Sequence, residues 1–259
     1  MKIAILYICT GKYNQFFSGF YKSCEQYFFR NTAEKEYFVF TDDFSIANEP
    51  NVHLYHKECQ GFPMDSLLRF EQFLRVKEEL IKFDYAYFFN ANAIFLRTVG
   101  EELLPKEGSL YVAGVWNQNL KQSFFLPYER NKKSKAYIPP HDGPYVYFGG
   151  FFNGGNAKAY VEMAEKLALN TQIDLKNGII AKVHDESHLN HYLHYHPCTA
   201  LPTSYIIPEE FMKDGDNPFI ILRDKVRLDL YFNKGRKHTL WANLKKTCDY
   251  IKDAVIWYF

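Results

Sequence analysis

The sequence predicts an α/β fold, with a mostly parallel central sheet flanked by helices. Two observations carry that prediction. Short apolar runs alternate with stretches of helical periodicity, the pattern of β-α-β units. Three of the runs end abruptly at Cys9-Thr10-Gly11, Thr41-Asp42 and Asn90-Ala91-Asn92. In parallel sheets ligands gather at such carboxyl ends of strands, so these three stretches are expected around one cleft. A chain of 259 residues that is 47% hydrophobic can bury one large α/β core or a compact pair of lobes.

Residues 3–9 read as a buried strand. After the turn Thr10-Gly11-Lys12, an amphipathic helix is expected over 16–29. Residues 37–40 form a second strand and 53–56 a third. Residues 65–83 read as one helix capped by Asp65 or Ser66, with Leu67, Phe70, Leu74 and Leu80 on a shared face. An aromatic strand follows over 85–89 and another strand over 110–115. The strand over 145–148 runs into a Gly-rich turn. Helices are expected over 157–169 and 186–195, and a last strand over 218–222. Lys132, Lys133, Lys135, Pro139, Pro140, Gly143 and Pro144 mark 131–144 as a mobile loop. No internal repeat divides the chain. Residues 1–225 read as the main domain and 226–259 as a basic amphipathic tail.

The net charge is +1, so no global field points to nucleic acid. Cys9, Cys24, Cys59, Cys198 and Cys248 are an odd set without a CxxC pair. They read as reduced thiols, not as a disulfide framework or a zinc site. The N-terminus starts on a strand pattern without signal-peptide features, and no run approaches the ~20 apolar residues of a membrane helix. A cytoplasmic protein is expected, or one held peripherally at the inner face of a membrane. Aromatic residues reach 18%. Most will be core, although their faces also suit sugar rings.

Four motifs carry chemistry. In Phe88-Phe89-Asn90-Ala91-Asn92, alternation points Asn90 and Asn92 to one side. Many nucleotide-sugar transferases hold a divalent metal with Asp-x-Asp at such a strand end. Asn is neutral and a poor ligand for a hard cation, so here no metal is expected. A pair of turn-forming Asn residues is the alternative. In His184-Asp185-Glu186-Ser187-His188-Leu189-Asn190, the acidic pair either complements a helix N-terminus or offers a carboxylate to an anomeric carbon. In Tyr147-Phe148-Gly149-Gly150-Phe151-Phe152-Asn153-Gly154-Gly155, four glycines let the backbone approach a ligand or simply make a tight turn. It is not a dinucleotide fingerprint. Arg223-Asp224-Lys225 either neutralises a diphosphate leaving group or forms a surface ion pair.

Taken together, the sequence resembles glycosyltransferase family 6, the family of the histo-blood-group A and B transferases, with the pattern of its bacterial members. The residues that carry the resemblance are Tyr7-Ile8-Cys9-Thr10-Gly11-Lys12-Tyr13, Tyr37-Phe38-Val39-Phe40-Thr41-Asp42, Phe88-Phe89-Asn90-Ala91-Asn92, Tyr128-Glu129-Arg130, Ala136-Tyr137-Ile138-Pro139 and His184-Asp185-Glu186-Ser187-His188-Leu189-Asn190. The resemblance implies a GT-A type fold and α1,3 transfer with retention, from UDP-galactose or UDP-GalNAc to a galactoside, fucosylated or not. Such transfer serves glycan or surface polysaccharide synthesis. It implies that Ile8, Cys9, Thr10 and Tyr13 line the uridine site and that Ser66 and Arg69 touch the donor. Asp185 would hold donor-sugar hydroxyls, Glu186 would be the catalytic carboxylate, and His184 would lie next to the acceptor. Asn90-Ala91-Asn92 stands where animal members carry Asp-Val-Asp, as in bacterial members that work without Mn²⁺. No cofactor is expected beyond the UDP-sugar substrate. The partners are that donor and an oligosaccharide or glycolipid acceptor.

Two positions depart from the family pattern. Donor discrimination falls near Gly149-Gly150-Phe151, and the large Phe151 favours galactose by steric exclusion of an N-acetyl group. An N-acetylgalactosaminyltransferase is the alternative, and an inactive sugar-binding protein a third reading. Trp116 stands where many members carry an acceptor-contacting His and offers a stacking face. Beyond about Arg227 the resemblance ends. There Trp241, Leu244, Cys248, Ile251, Val255 and Tyr258 repeat at helical spacing, with Lys245, Lys246 and Lys252 off that stripe. Such a helix either rests on an anionic membrane or packs on the domain or a twin subunit. The 131–144 loop and the segment after Arg223 are expected to order over the donor.

Overall fold

A computed structural model describes residues 1–116, 126–233 and 240–258; the side chains of residues 230, 233, 240–246, 249 and 250 lie outside the description. The strands are β1 (Lys2–Ile8), β2 (Glu34–Thr41), β3 (Val52–His56), β4 (Tyr85–Phe89), β5 (Ala93–Phe95), β6 (Tyr111–Val115), β7 (Phe148–Asn156), β8 (Cys198–Leu201), β9 (Ile206–Pro208) and β10 (Ile220–Leu222). The α-helices are α1 (Phe17–Tyr27), α2 (Met64–Leu67), α3 (Arg69–Leu74), α4 (Lys77–Leu80), α5 (Ala157–Lys176), α6 (His184–His194), α7 (Lys225–Leu228) and α8 (Leu240–Tyr258).

A seven-stranded sheet runs β3-β2-β1-β4-β7-β6-β8. It is parallel except at β7, which is antiparallel to both neighbours. A small second sheet, β5-β10-β9, brings the late strand back beside the end of β4. The mostly parallel α/β architecture expected from the alternating runs is therefore present. Strand alternation divides the core: Ile3, Ile5 and Tyr7 face the layer containing Phe17 and Phe20 of α1. Ala4 and Leu6 face the opposite layer, with Phe73 of α3 and Tyr160 of α5. Most of the aromatic excess is spent here; Tyr7, for instance, stacks on Phe20 with centroids 4.5 Å apart.

Three elements differ from expectation. Residues 65–83 are not one helix. Their buried side chains Leu67, Phe70, Phe73 and Val76 recur every third residue, a spacing that drifts off one face at about 3.6 residues per turn. The chain breaks instead into α2, α3 and α4, with Leu68 (ψ 15) and Val76 (ψ 21) outside helical geometry. Asp65 does not cap a helix; its carboxylate accepts hydrogen bonds from Lys57 Nζ and from the Gln60 and Gly61 amides, which shapes the preceding loop.

The expected Gly-rich turn is strand β7. Glycine is needed there because neighbours occupy the Cβ space: a Cβ on Gly154 would lie 2.3 Å from the Tyr87 ring, and one on Gly155 2.1 Å from the Leu110 carbonyl. The 131–144 stretch, expected to be mobile, is tied down. Glu129 accepts from the Asn131 and Lys182 amides at 2.8 and 2.6 Å. Asp174 accepts from Ser134 Oγ and the Lys135 amide at 2.6 and 2.8 Å.

The tail also packs differently. Helix α8 docks through Ala254 and Trp257, both buried. Trp257 Nε1 donates to the Ile138 carbonyl at 2.8 Å, and the Arg130 guanidinium lies 5.1 Å from its ring. The stripe read from the sequence is not this face, because Cys248, Ile251 and Val255 are exposed. The side chains of Trp241, Leu244, Lys245 and Lys246 lie outside the described ones. Among the described residues no helix is long and apolar enough to cross a membrane.

Candidate active site

The motif that opens α6 meets β7 edge on. Asn190 locks the two together: its Oδ1 accepts from the Phe148 amide and its Nδ2 donates to the Phe148 carbonyl, both at 2.8 Å. One turn earlier, Glu186 therefore stands over Gly150. Its Oε2 accepts from the Gly150 amide at 2.5 Å and its Oε1 from the Tyr147 hydroxyl at 2.6 Å. Burial pushes the Glu186 carboxyl up to about 7, although both hydrogen bonds pull it down. The carboxyl is thus a poor acid to strip in the folded chain and sits close to neutrality.

Asp185 is buried beside it and raised by the same desolvation, against the pull of Arg69. Arg69 Nη1 lies 2.8 Å from Asp185 Oδ2 and donates to the Gly150 carbonyl at 2.6 Å, with its guanidinium 4.2 Å from the centre of the Phe88 ring. One buried guanidinium thus joins α3, β4, β7 and α6. His184 adopts the left-handed region (φ 51), a costly conformation for a non-glycine residue, and sets its ring edge-to-face on Phe62 at 4.7 Å. Ser66 is half-buried on α2, ahead of Arg69.

Phe151 does not stand beside the carboxylates. Gly150, not Phe151, faces the carboxylates: a Cβ there would lie 3.2 Å from Glu186 Oε2 and 3.5 Å from Asp185 Oδ2. Phe151 turns to the other side of β7 and fills the Cβ space of Gly149 and Gly114, at 2.0 and 2.7 Å. Because the segment is a strand and not a turn, neighbours alternate sides. The Phe151 ring therefore lies on the Gly149 side of the strand, 6.0 Å from Trp116 and turned from Glu186.

At the carboxyl end of β1, the Asp42 carboxylate accepts from the Gly11 amide (2.8 Å) and from Asn14 Nδ2 (2.7 Å), fixing the turn after β1. Thr10 is buried, and Ile8 and Tyr13 are half-buried. Cys9 is 1% exposed, and burial pushes its thiol up to about 12. Its side chain belongs to the core, so only its backbone reaches the strand end. The segment after Arg223 already folds back over this turn. Lys12 Nζ lies 2.8 Å from Asp229 Oδ2. Phe232 packs edge-to-face on Tyr13 at 4.9 Å, and Lys225 Nζ lies 5.3 Å from the Tyr13 ring centre.

Asn90 Nδ2 donates to Asn92 Oδ1 at 3.1 Å, and Asn92 Nδ2 donates to the Arg223 carbonyl at 2.7 Å. The Arg223 amide returns a bond to the Asn92 carbonyl at 2.9 Å. Asn92 thus clasps the backbone that delivers Arg223 to the end of β10. The Arg223 side chain is half-buried and makes no ion pair among the described residues. Asn90 and Asn92 are neutral amides that bring no negative charge to a divalent cation, and the Asn92 side chain is already hydrogen-bonded to Asn90 and to the Arg223 carbonyl. Among the described residues no cluster of three His, Cys, Asp or Glu offers an alternative.

Trp116 is 38% exposed, 6.0 Å from Phe151 and edge-to-face with Phe211 at 5.9 Å; Phe211 is 52% and Phe62 63% exposed. Sequence reasoning missed Phe62, Phe211, Lys12, Asp229, Phe232 and the role of Tyr147. Among 24 Phe and 20 Tyr, nothing in sequence marks which of them stay exposed.

A sequence model of glycosyltransferase family 6 matches residues 1–218. The chain is 37% identical over 235 residues to the O-antigen biosynthesis glycosyltransferase WbnI of Escherichia coli, covering 90% of this chain and 99% of that protein. It is 30% identical over 218 residues to globoside alpha-1,3-N-acetylgalactosaminyltransferase 1 of Gallus gallus, covering 80% of this chain and 62% of that one. It is 32% identical over 217 residues to histo-blood group ABO system transferase 1 of Rattus norvegicus, covering 80% and 60%. The chain spans less than two thirds of each of these two animal proteins.

Proposed function

Because the chain belongs to glycosyltransferase family 6, we propose that it moves a galactose-configured sugar from a UDP donor to a galactoside acceptor. The transfer is α1,3, retains configuration and needs no divalent metal. The observation that carries this reading is the placement of Glu186. It is a buried carboxyl positioned by Tyr147 and Gly150 beside the Arg69-paired Asp185.

In this reading the sugar lies over Gly150, and Asp185 accepts hydrogen bonds from its hydroxyls. The Glu186 carboxylate either attacks the anomeric carbon or stabilises the positive charge that develops there. UDP departs with charge that Arg223 and Lys225 neutralise in place of a metal. Trp116 and Phe211 offer aromatic faces to the acceptor. The context is glycan assembly, as the name of the Escherichia coli relative suggests for that protein.

A second observation bears on the donor. The Phe151 ring lies on the Gly149 side of β7, away from Glu186, so it gives no reason to exclude a C2 acetamido group there, and UDP-galactose and UDP-GalNAc are both candidate donors.

The test is transfer from UDP-Gal and UDP-GalNAc to a fucosylated galactoside, each in EDTA and in Mn²⁺. The expected outcome is transfer from one of the two donors at undiminished rate in EDTA, and loss of about a thousandfold or more in Glu186→Gln. Strict dependence on Mn²⁺ would overturn the metal-free reading. Near-normal turnover in Glu186→Gln would remove the catalytic role, and no transfer from either donor would favour an inactive sugar-binding protein.

A further inference from the structure

Helix α8 presents two different faces. Its last turn is anchored to the domain: Ala254 is fully buried and Trp257 is 6% exposed, hydrogen-bonded to the Ile138 carbonyl. Tyr258 also meets the domain, its ring 4.3 Å from that of His141, and the remaining described apolar side chains turn away. Ile251 is 48%, Val255 43% and Ile256 69% exposed, and Cys248 is exposed one turn earlier. Cys248, Ile251 and Val255 lie along one side of the helix, and in sequence the same spacing continues back to Leu244 and Trp241; Ile256 lies about 100° round from Val255, with Lys252 between them. An amphipathic surface helix ordinarily turns its apolar stripe to the core. Here the core contact runs through Ala254 and Trp257, and the stripe is left over.

Charge identifies what covers it. Lys252 is exposed beside Ile251 and ahead of Val255 and Ile256. From 234 to 252 the chain carries Lys234, Arg236, Lys237, Lys245, Lys246 and Lys252 against the single acidic Asp249. Asp253 lies close enough to Lys182 to interact with it electrostatically. A stretch this basic in sequence, joined to an apolar stripe with Lys252 exposed beside it, repels a second copy of itself and complements an anionic lipid surface.

We infer that α8 is a peripheral membrane-docking element that lies on an anionic lipid surface through Ile251, Val255 and Ile256. The docked Trp257 turn holds the catalytic domain against it. The readout is lipid binding, so this inference stands or falls separately from the reaction proposed above.

The test is flotation of the full chain with vesicles of phosphatidylcholine alone or with about a quarter phosphatidylglycerol. Binding is expected to the anionic vesicles at about 0.1 M salt and to weaken strongly at about 0.5 M. Ile251→Ser/Val255→Ser/Ile256→Ser should each contribute to a combined loss of partitioning of about tenfold or more, and Lys252→Glu should lower it by about tenfold. Thermal stability and transfer to a water-soluble acceptor should stay unchanged in these variants. Absence of flotation, or equal flotation of wild type and the triple variant, would overturn the inference. So would a wild-type dimer that the triple variant converts to a monomer in light scattering without lipid binding, since that assigns the face to a second copy.

Discussion

At Glu186, desolvation and hydrogen bonding pull in opposite directions, and desolvation wins. The folded chain keeps a proton up to about pH 7, whereas the unfolded chain releases it near the ordinary 4.5. Between those values the native state binds more protons, so stability falls as pH rises through the window. Glu186→Gln removes that term. Calorimetry should find its Tm close to wild type at about pH 4 and higher than wild type at about pH 8, the stability–activity trade-off of a strained site. Transfer by wild type should rise with pH through about 7, as the carboxylate forms. Tyr147→Phe removes a donor that stabilises the ionised form, so this acid limb should move up by roughly one unit. A merely structural role for Tyr147 would lower Tm and leave the limb in place. Glu186 and Asp185 were legible as candidates through the motif around His184, and Arg69 through the family the sequence resembles; the structure brings the three together. Tyr147 was not, because a Tyr next to a Gly-rich run carries no sign of which way its hydroxyl reaches.

The elements differ in how much their sequence revealed. β1, β2 and β4 were legible because a continuous apolar run can hardly be anything but a buried strand. The stretch 65–83 was not, since a three-residue spacing of Leu67, Phe70, Phe73 and Val76 looks helical until the drift is followed over several turns. β7 was hidden by its own glycines, which normally signal a turn and here make room for Tyr87 and the Leu110 carbonyl. The closing segment, α7 with residues 229–232, rests on the turn after β1 through Lys12, Asp229 and Phe232. Lys12 is half exposed in that pair, so the ion pair adds little to stability. Lys12→Glu should leave the unfolding midpoint close to that of wild type yet weaken UDP binding about fivefold by calorimetry. An unchanged UDP affinity would separate the segment from the donor.

Across the whole molecule, Arg69 is the residue on which the layers converge, since α3, β4, β7 and α6 all meet its guanidinium. Removing it strands the buried Asp185 without a counter-charge. Arg69→Ala should cost about 3–5 kcal/mol in denaturant unfolding, far more than an exposed substitution. The sequence by itself determined the fold class, the polar ends of β1, β2 and β4, and the carboxylate pair at the start of α6. Those are written in local periodicity and composition, which act between near neighbours in the chain. Only the tertiary structure decided that Gly150 and not Phe151 faces Glu186, that Asn92 clasps Arg223, and that α8 docks by Trp257 and leaves its apolar stripe outside. Periodicity states that an element has two faces. Which partner covers each face is settled by contacts between residues far apart in the chain, and no local pattern records them.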